Sequence, residues 1–235
     1  MSEEQLARDF LDAIGDLERE MVRLGARDPQ GLGDAVRQLT DSKSLVRRYR
    51  SDLLTFATLR NAIAHNSYMH GRPIATPLPE TVSRAKEVLA QFTRPAQAVD
   101  FGHTPLMFDE SADLQPALQE MASRRLSQAP VTSGGVYKCM LTTNAVARWL
   151  ASNIDQDGNV LMTEVRVADV VKHLEDHEVA KFAARSLTAS EAVDLLTRKA
   201  PPLAVLLTQD GNKAQSILKI LVASDVPAMM MALGA

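Results

Sequence analysis

The feature that most restricts the fold of this chain is a pattern of elements that occurs twice within residues 96–235. Residues 113–124 have apolar side chains at helical spacing, and strand-like runs at 128–132 and 137–142 follow across a Ser-Gly-Gly turn. A helix is predicted directly after the second strand. The same order of helix, strand, strand and helix is predicted about 80 residues later, over 190–198, 203–208, 216–222 and 224–233.

This duplication has a direct consequence for packing. A repeated unit that cannot bury its own sheet must pack against its copy. Leu118 then corresponds to Leu195, and Leu141 to Leu221. The cleft between two such copies is a natural place for a small ligand.

The first 95 residues show only helical periodicity. Apolar residues recur every three or four positions from Leu6 to Leu24, which predicts an amphipathic helix. A second helix is predicted over 42–65 and a third over 80–92, with prolines between them. The sequence therefore predicts three domains, a helical one at 1–95 and the two copies at 96–155 and 156–235.

Composition excludes several classes of protein. Hydrophobic residues make up 46% and charged residues 23% of the chain, as in ordinary globular proteins. Aromatic residues are only 4%, which argues against a stacking surface for nucleic acid. The single cysteine excludes an internal disulfide and a cysteine metal cluster, so no metal is expected. No apolar run approaches the length of a membrane span, and we expect a cytoplasmic protein without a membrane partner.

Residues 100–235 resemble a tandem pair of cystathionine beta-synthase (CBS) domains, an arrangement often called a Bateman module. In the first copy the resemblance lies in Gln128-Ala129-Pro130-Val131 and in Met140-Leu141-Thr142, which leads into Ala147-Arg148-Trp149-Leu150. In the second copy it lies in residues 204–208, in Gly211 and in residues 218–225. The resemblance implies an α+β protein in which an all-α helical bundle precedes a CBS pair of duplicated β-α-β-β-α units.

The resemblance also implies a ligand, an adenine nucleotide (AMP, ADP or ATP) or S-adenosylmethionine. CBS pairs bind such ligands through a Gly-apolar-x-Thr/Ser-x-x-Asp phrase, and each copy here retains half of it. Thr142 has the hydroxyl position of the first copy, and Asp225 has the position of the second copy that accepts the ribose hydroxyls. The implied binding residues are Asp225, Ser224, Val222, Thr142, Arg185, Leu187 and Val205. As alternatives, Asp225 and Thr142 cap helices and Arg185 is a solvated surface residue.

The helical region contains a second phrase, Arg60 to His65, which resembles the Arg-x4-His motif of the higher eukaryotes and prokaryotes nucleotide-binding (HEPN) domains. The resemblance implies metal-independent RNA cleavage, with His65 as base, Arg60 as fixed cation and Asn61 beside them. Five helical residues place Arg60 and His65 about 140° apart, which favours a site shared by two chains. Alternatively, Arg60 pairs with an acid such as Asp52 and His65 closes the helix.

The segment between the two copies contains His173 and His177, four residues apart. Their acidic neighbours Glu175, Asp176 and Glu178 predict a solvated linker helix rather than a metal site. The apolar residues 226–231 near the end of the chain favour a homodimer interface, with internal core as the alternative.

These features predict a regulatory, ligand-sensing protein in which a nucleotide bound to the CBS pair changes the association of the helical domains. The first alternative is a HEPN-type endoribonuclease switched by the CBS pair, with RNA as partner. The second is an interaction scaffold that binds no ligand. Whether the protein is an enzyme stays open at this point.

Overall fold

The structure is a computed structural model that describes residues 2–65, 67–68, 72–73 and 75–234, with the backbone alone at 65, 67–68 and 72–73. The chain forms two compact units, Met1–Ala96 and Gln97–Ala235.

The N-terminal unit is helical. Its elements are the helices α1 (Glu3–Arg23), α2 (Leu32–Leu39), α3 (Ser44–Arg48), α4 (Arg50–His65) and α5 (Pro79–Thr93), with the short antiparallel strands β1 (Ser67–Tyr68) and β2 (Arg72–Pro73) between the last two helices.

Helix α1 forms where the sequence predicts it. The Ser2 side chain caps its start by accepting a hydrogen bond from the Gln5 N–H at 3.3 Å, and two glutamates in the first turn suit the positive end of the helix dipole. Its apolar stripe is buried, and the Phe10 ring meets the Phe56 ring edge to face at 6.0 Å. Helix α5 likewise confirms the prediction for 80–92, and it begins with a proline in its first turn.

Two details of the N-terminal unit differ from the sequence prediction. The predicted single helix over 42–65 is two helices, because the backbone at Tyr49 leaves the helical region. The Tyr49 ring is buried against Phe92 and lies beneath the Arg84 guanidinium, so tertiary packing sets this bend. The sequence does not predict helix α2, since Gly31 at its N-cap and Gly33 in its first turn weaken the helical signal, yet its apolar residues are buried in the core of this unit.

The C-terminal unit contains the duplicated pattern. The first repeat comprises β3 (Phe108–Asp109), α6 (Leu114–Ser123), β4 (Gln128–Ser133), β5 (Val136–Thr142) and α7 (Thr143–Asn153). After the short helix α8 (Val167–Val171), the second repeat comprises β6 (Ala180–Ala184), α9 (Ala189–Thr197), β7 (Ala204–Thr208), β8 (Lys219–Leu221) and α10 (Val226–Ala232).

The two sheets have the same topology. In the first, β4 pairs in parallel with β3 and antiparallel with β5; in the second, β7 pairs in the same way with β6 and β8. Ala129 faces Leu141 in one sheet and Val205 faces Leu221 in the other, which confirms the predicted correspondence of the two leucines. The α+β fold class is therefore confirmed.

The two repeats pack against each other through apolar residues of their strands. Met140, Ala204 and Leu206 are fully buried in one cluster. The rings of Tyr137 and Phe182 meet beside it at 4.9 Å, nearly perpendicular. Strand β7 is buried along its whole length, as expected for a central strand covered on both faces.

Candidate functional site

A cavity of about 570 Å³ lies in the C-terminal unit, a size common among small-molecule sites. Both repeats contribute to it. Its apolar walls are Leu106, Leu126, Pro130, Leu203, Ile220 and Val222. An apolar group that binds between such walls is stabilised by the burial of its surface.

The segment before β3 fixes one side of the cavity. His103 pairs with Ile220 through two backbone hydrogen bonds of 3.0 and 2.8 Å. This pairing holds the His103 side chain beside Asp225, with 3.1 Å between Nε2 and Oδ1. Asp225 is buried, and its other oxygen accepts the Val222 N–H at 2.8 Å. The carboxylate thus caps the short 3-10 helix over residues 223–225, next to Val222 and Ser224 of the cavity lining.

The ionisable residues that line this cavity are basic. They are His103, Arg124 and Arg125, and no carboxylate belongs to the described lining. Arg124 pairs with Glu120 on the preceding helical turn, with 2.6 Å between the nearest atoms. Arg125 has a φ of 56°, a left-handed conformation that costs a non-glycine residue energy. This composition favours an anionic group at the rim.

Two of the sequence-predicted binding residues, Val222 and Ser224, line the cavity, and Asp225 adjoins it through His103. Arg185, Leu187 and Val205 are absent from the described lining. Val205 is fully buried in β7, and Arg185 and Leu187 follow the carboxyl end of β6, whereas Leu203 of the cavity precedes β7. Their binding role stays a prediction.

Val205 of the second repeat is a predicted binding residue, and the strand registers make Ala129 of the first repeat its equivalent. Gln128 and Pro130, the neighbours of Ala129, line the cavity. The duplicated pattern therefore indicates which part of the strand lines the cavity, but not which repeat supplies it. His103, Arg124 and Arg125 have no signal of their own in the sequence.

Thr142 lies in the first repeat, at the start of α7. Its hydroxyl accepts the Ala145 N–H at 2.9 Å, which is a helix cap, and donates to Glu178 Oε1 at 2.7 Å. The Glu178 side chain is 1% exposed and forms an ion pair with Arg148. The predicted solvated linker helix is therefore wrong at Glu178. The segment consists of turns there, and the carboxylate is buried because it has partners on α7.

The protonation of Glu178 follows from these partners. Burial raises its pKa, but hydrogen bonds from the Glu175 N–H and the Thr142 hydroxyl, together with the charge of Arg148, outweigh burial. The pKa of Glu178 accordingly lies below its ordinary value, and the side chain is a carboxylate at neutral pH.

In the N-terminal unit, Arg60 and Asn61 line a cavity of about 550 Å³. Arg60 Nη1 donates to Asn61 Oδ1 at 3.2 Å. His65 is the last residue of α4, and its side chain lies outside the described part of the chain. Asp52, an expected partner of Arg60, instead accepts a hydrogen bond from Arg84 at 2.9 Å.

Among the described residues, no group of three or more His, Cys, Asp and Glu side chains is arranged to hold a metal ion. Within the same part of the chain, no helix is both long and apolar enough to cross a membrane.

Among the solved structures that are similar to this chain are proteins with CBS domains. No protein-family model matches the chain. No curated protein matches it significantly. Among solved structures, a CBS domain-containing protein of unknown function from Kribbella flavida is similar, with 18% identity, coverage of 58% of this chain and 99% of that chain, and a TM-score of 0.44.

Two further solved structures have named ligands. The CBS domain pair of protein MJ0100, in complex with 5′-methylthioadenosine and S-adenosyl-L-methionine, has 11% identity, covers 59% of this chain and 98% of that chain, and has a TM-score of 0.43. CBSX2 in complex with AMP has 12% identity, covers 60% of this chain and 99% of that chain, and has a TM-score of 0.42.

Proposed function

We propose that the C-terminal unit is a CBS pair that senses an adenine nucleotide and thereby regulates the N-terminal helical unit. The observation that carries this proposal is the cavity between the two repeats, with its apolar walls and cationic rim next to a buried aspartate. The duplicated CBS-like phrases in the sequence support the same ligand class.

The parts of a nucleotide match the parts of this cavity. The base packs between the apolar walls, and the phosphate lies at the rim formed by Arg124 and Arg125. The ribose hydroxyls donate to Asp225, in place of the His103 contact. His103 is 72% exposed, so its side chain leaves at little cost. The rim favours AMP, ADP or ATP over S-adenosylmethionine, whose sulfonium carries a positive charge.

Calorimetric titration of the full chain with AMP, ADP, ATP and S-adenosylmethionine tests this function. We expect AMP to bind, and Asp225→Asn to weaken it by about 10- to 100-fold, because the loss concerns hydrogen bonds to a charged group worth about 1.5–3 kcal/mol. The asparagine oxygen still accepts the Val222 N–H, so the cap is kept.

Asp157→Asn, on an exposed loop of the same unit, is the matched control and should bind as the parent does. Equal affinity in Asp225→Asn refutes the site. If none of the four compounds binds, nucleotide sensing is wrong and the scaffold is favoured. Regulation further requires that the ligand distinguish two arrangements of the protein, which AMP-dependent change in small-angle scattering tests.

A regulated ribonuclease is the second candidate, and the contact between Arg60 and Asn61 in one cavity favours it. This candidate retains the HEPN-like reading of the N-terminal unit and RNA as its substrate. Metal-free cleavage of RNA should disappear in His65→Ala and in Arg60→Gln, but persist in Arg8→Gln. Unchanged cleavage in His65→Ala contradicts it.

We further propose that the protein acts in the cytoplasm and forms a homodimer whose interface includes α10. Met229 is fully buried within the unit, whereas Met231 is 77% exposed and is therefore available to a second copy. Light scattering should give twice the chain mass for the parent and a monomer for Met231→Lys. A monomeric parent refutes the dimer.

A further inference from the structure

The buried carboxylate of Glu178 has the contacts that a bound oxyanion would have. Three groups of different kinds donate to it: the Thr142 hydroxyl at 2.7 Å, the Glu175 N–H at 2.9 Å and the Arg148 guanidinium. Arg148 is itself held in place, since its Nε donates to the His173 carbonyl at 2.7 Å. A hydroxyl, a backbone N–H and a guanidinium form a typical set of donors for phosphate or carboxylate.

The internal repeat relates this cluster to the cavity at Asp225. Asp109 pairs with Thr132, and Ala184 pairs with Thr208 at the equivalent place in the second sheet. His103 precedes Asp109 by the same number of residues as Glu178 precedes Ala184, so His103 and Glu178 occupy equivalent positions in the two repeats.

The helix starts correspond in the same way. Leu141 and Leu221 are equivalent, so Thr142 and Val222 are equivalent as well. His103 therefore faces the helix start of the second repeat from the position at which Glu178 faces that of the first. The two residues differ in exposure, however, at 72% for His103 and 1% for Glu178. The cleft at the helix start of the second repeat is therefore open, whereas the equivalent cleft of the first repeat is filled by the Glu178 side chain.

We propose that Glu178 is the built-in occupant of an oxyanion site formed by the Arg148 guanidinium, the Thr142 hydroxyl and the Glu175 N–H. A nucleotide phosphate does not enter at the first repeat, and the chain binds one nucleotide, at Asp225. The stoichiometry rests on the proposed function, whereas the oxyanion site does not.

Removal of the carboxylate in the full chain tests the oxyanion site, with inorganic phosphate and acetate as probes against chloride at matched ionic strength. Glu178→Ala removes the acceptor that these three donors share. Phosphate at 100 times its dissociation constant should raise the Tm of this variant by about 5 to 10 °C. The single tryptophan, Trp149, lies on α7 next to Arg148 and reports the transition by fluorescence.

The controls separate this site from general salt effects. The parent and Glu175→Ala, which removes a half-exposed partner of the same arginine, should not distinguish phosphate from chloride. Arg148→Gln added to Glu178→Ala should abolish the response. The proposal is overturned if Glu178→Ala responds no more than Glu175→Ala does. If Glu178→Ala fails to fold in chloride, refolding in phosphate or acetate should recover it, and no recovery in either anion overturns the proposal as well.

Titration of the parent with AMP tests the stoichiometry. One AMP per chain is expected, and two per chain would contradict closure of the first cleft. If AMP does not bind at all, the proposed nucleotide function fails, and the response of Glu178→Ala to anions alone decides whether the oxyanion site exists.

Discussion

Replacing Glu178 by glutamine keeps the shape of the side chain and removes its charge, and the cost follows from the contacts. The Arg148 side chain is 31% exposed, so solvent screens the ion pair and its loss costs about 1 kcal/mol. The amide also presents a donor where the carboxylate accepted from Thr142 or from the Glu175 N–H, which costs about 1–2 kcal/mol more. We expect a loss of about 2–3 kcal/mol and a Tm lower by about 5–10 °C.

Urea unfolding followed by Trp149 fluorescence measures this loss in the C-terminal unit alone, because the chain has no other tryptophan. Glu175→Gln is the matched control. Glu175 lies 3.6 Å from the same arginine but is 52% exposed, and its substitution should cost less than about 1 kcal/mol. The reasoning is refuted if Glu178→Gln lies within about 0.5 kcal/mol of the parent, or if the two substitutions cost the same.

The stability difference between the parent and Glu178→Gln is also expected to depend on pH. Since the pKa of Glu178 is lowered in the folded state, its contribution is complete above the unfolded-state value of about 4.3. It is lost as the pH falls through the folded-state pKa. The stability difference between the parent and Glu178→Gln should therefore be constant from pH 7 to pH 5 and should shrink below about pH 4. Urea titrations at pH 7, 5, 4 and 3 measure it, and a difference that grows on acidification contradicts the assignment.

Three further substitutions have expected outcomes. Phe10→Ala removes a fully buried ring that meets Phe56, and should cost the N-terminal unit about 3–5 kcal/mol in urea unfolding followed by circular dichroism; a loss under about 1 kcal/mol would contradict its core position. Gly211→Ala should destabilise more than Gly158→Ala, since both have positive φ but only at Gly211 would a Cβ meet a backbone nitrogen at 3.0 Å; equal Tm losses would refute this. Arg125→Gln should weaken the affinity for AMP about 3- to 10-fold in calorimetry and leave the affinity for adenosine unchanged. An equal effect on both affinities would contradict a phosphate position at the rim.

The sequence predicts the architecture of the C-terminal unit well because its strong signals are local. The predicted hairpin between β4 and β5 is confirmed, and its turn consists of Gly134 and Gly135, both with positive φ. The predicted correspondence of Leu141 and Leu221 is confirmed by strand register. Such features depend on turn residues and on alternating hydrophobicity, which a single sequence shows directly.

The parts that the sequence misses depend on contacts between distant residues. Glu178 has the composition of a solvated linker, and only Thr142 and Arg148, brought near by folding, make its burial favourable. The cavity beside Val222 and Ser224 is also lined by Gln128 and Pro130, because the helix start of one repeat faces the strand of the other. The periodicity of the sequence identifies both repeats but does not show how they pack against each other.

Short edge strands border both sheets of the C-terminal unit, and unpaired edges invite the addition of foreign strands and hence aggregation. Two of these edge strands carry a lysine, Lys138 on β5 and Lys181 on β6, and the outer edge of β8 is paired with His103. A strand from another molecule that docked on such an edge would bury an ammonium group, at a cost that the new backbone hydrogen bonds do not repay. The charges on these sheet borders thus disfavour polymerisation of the protein through its own strands.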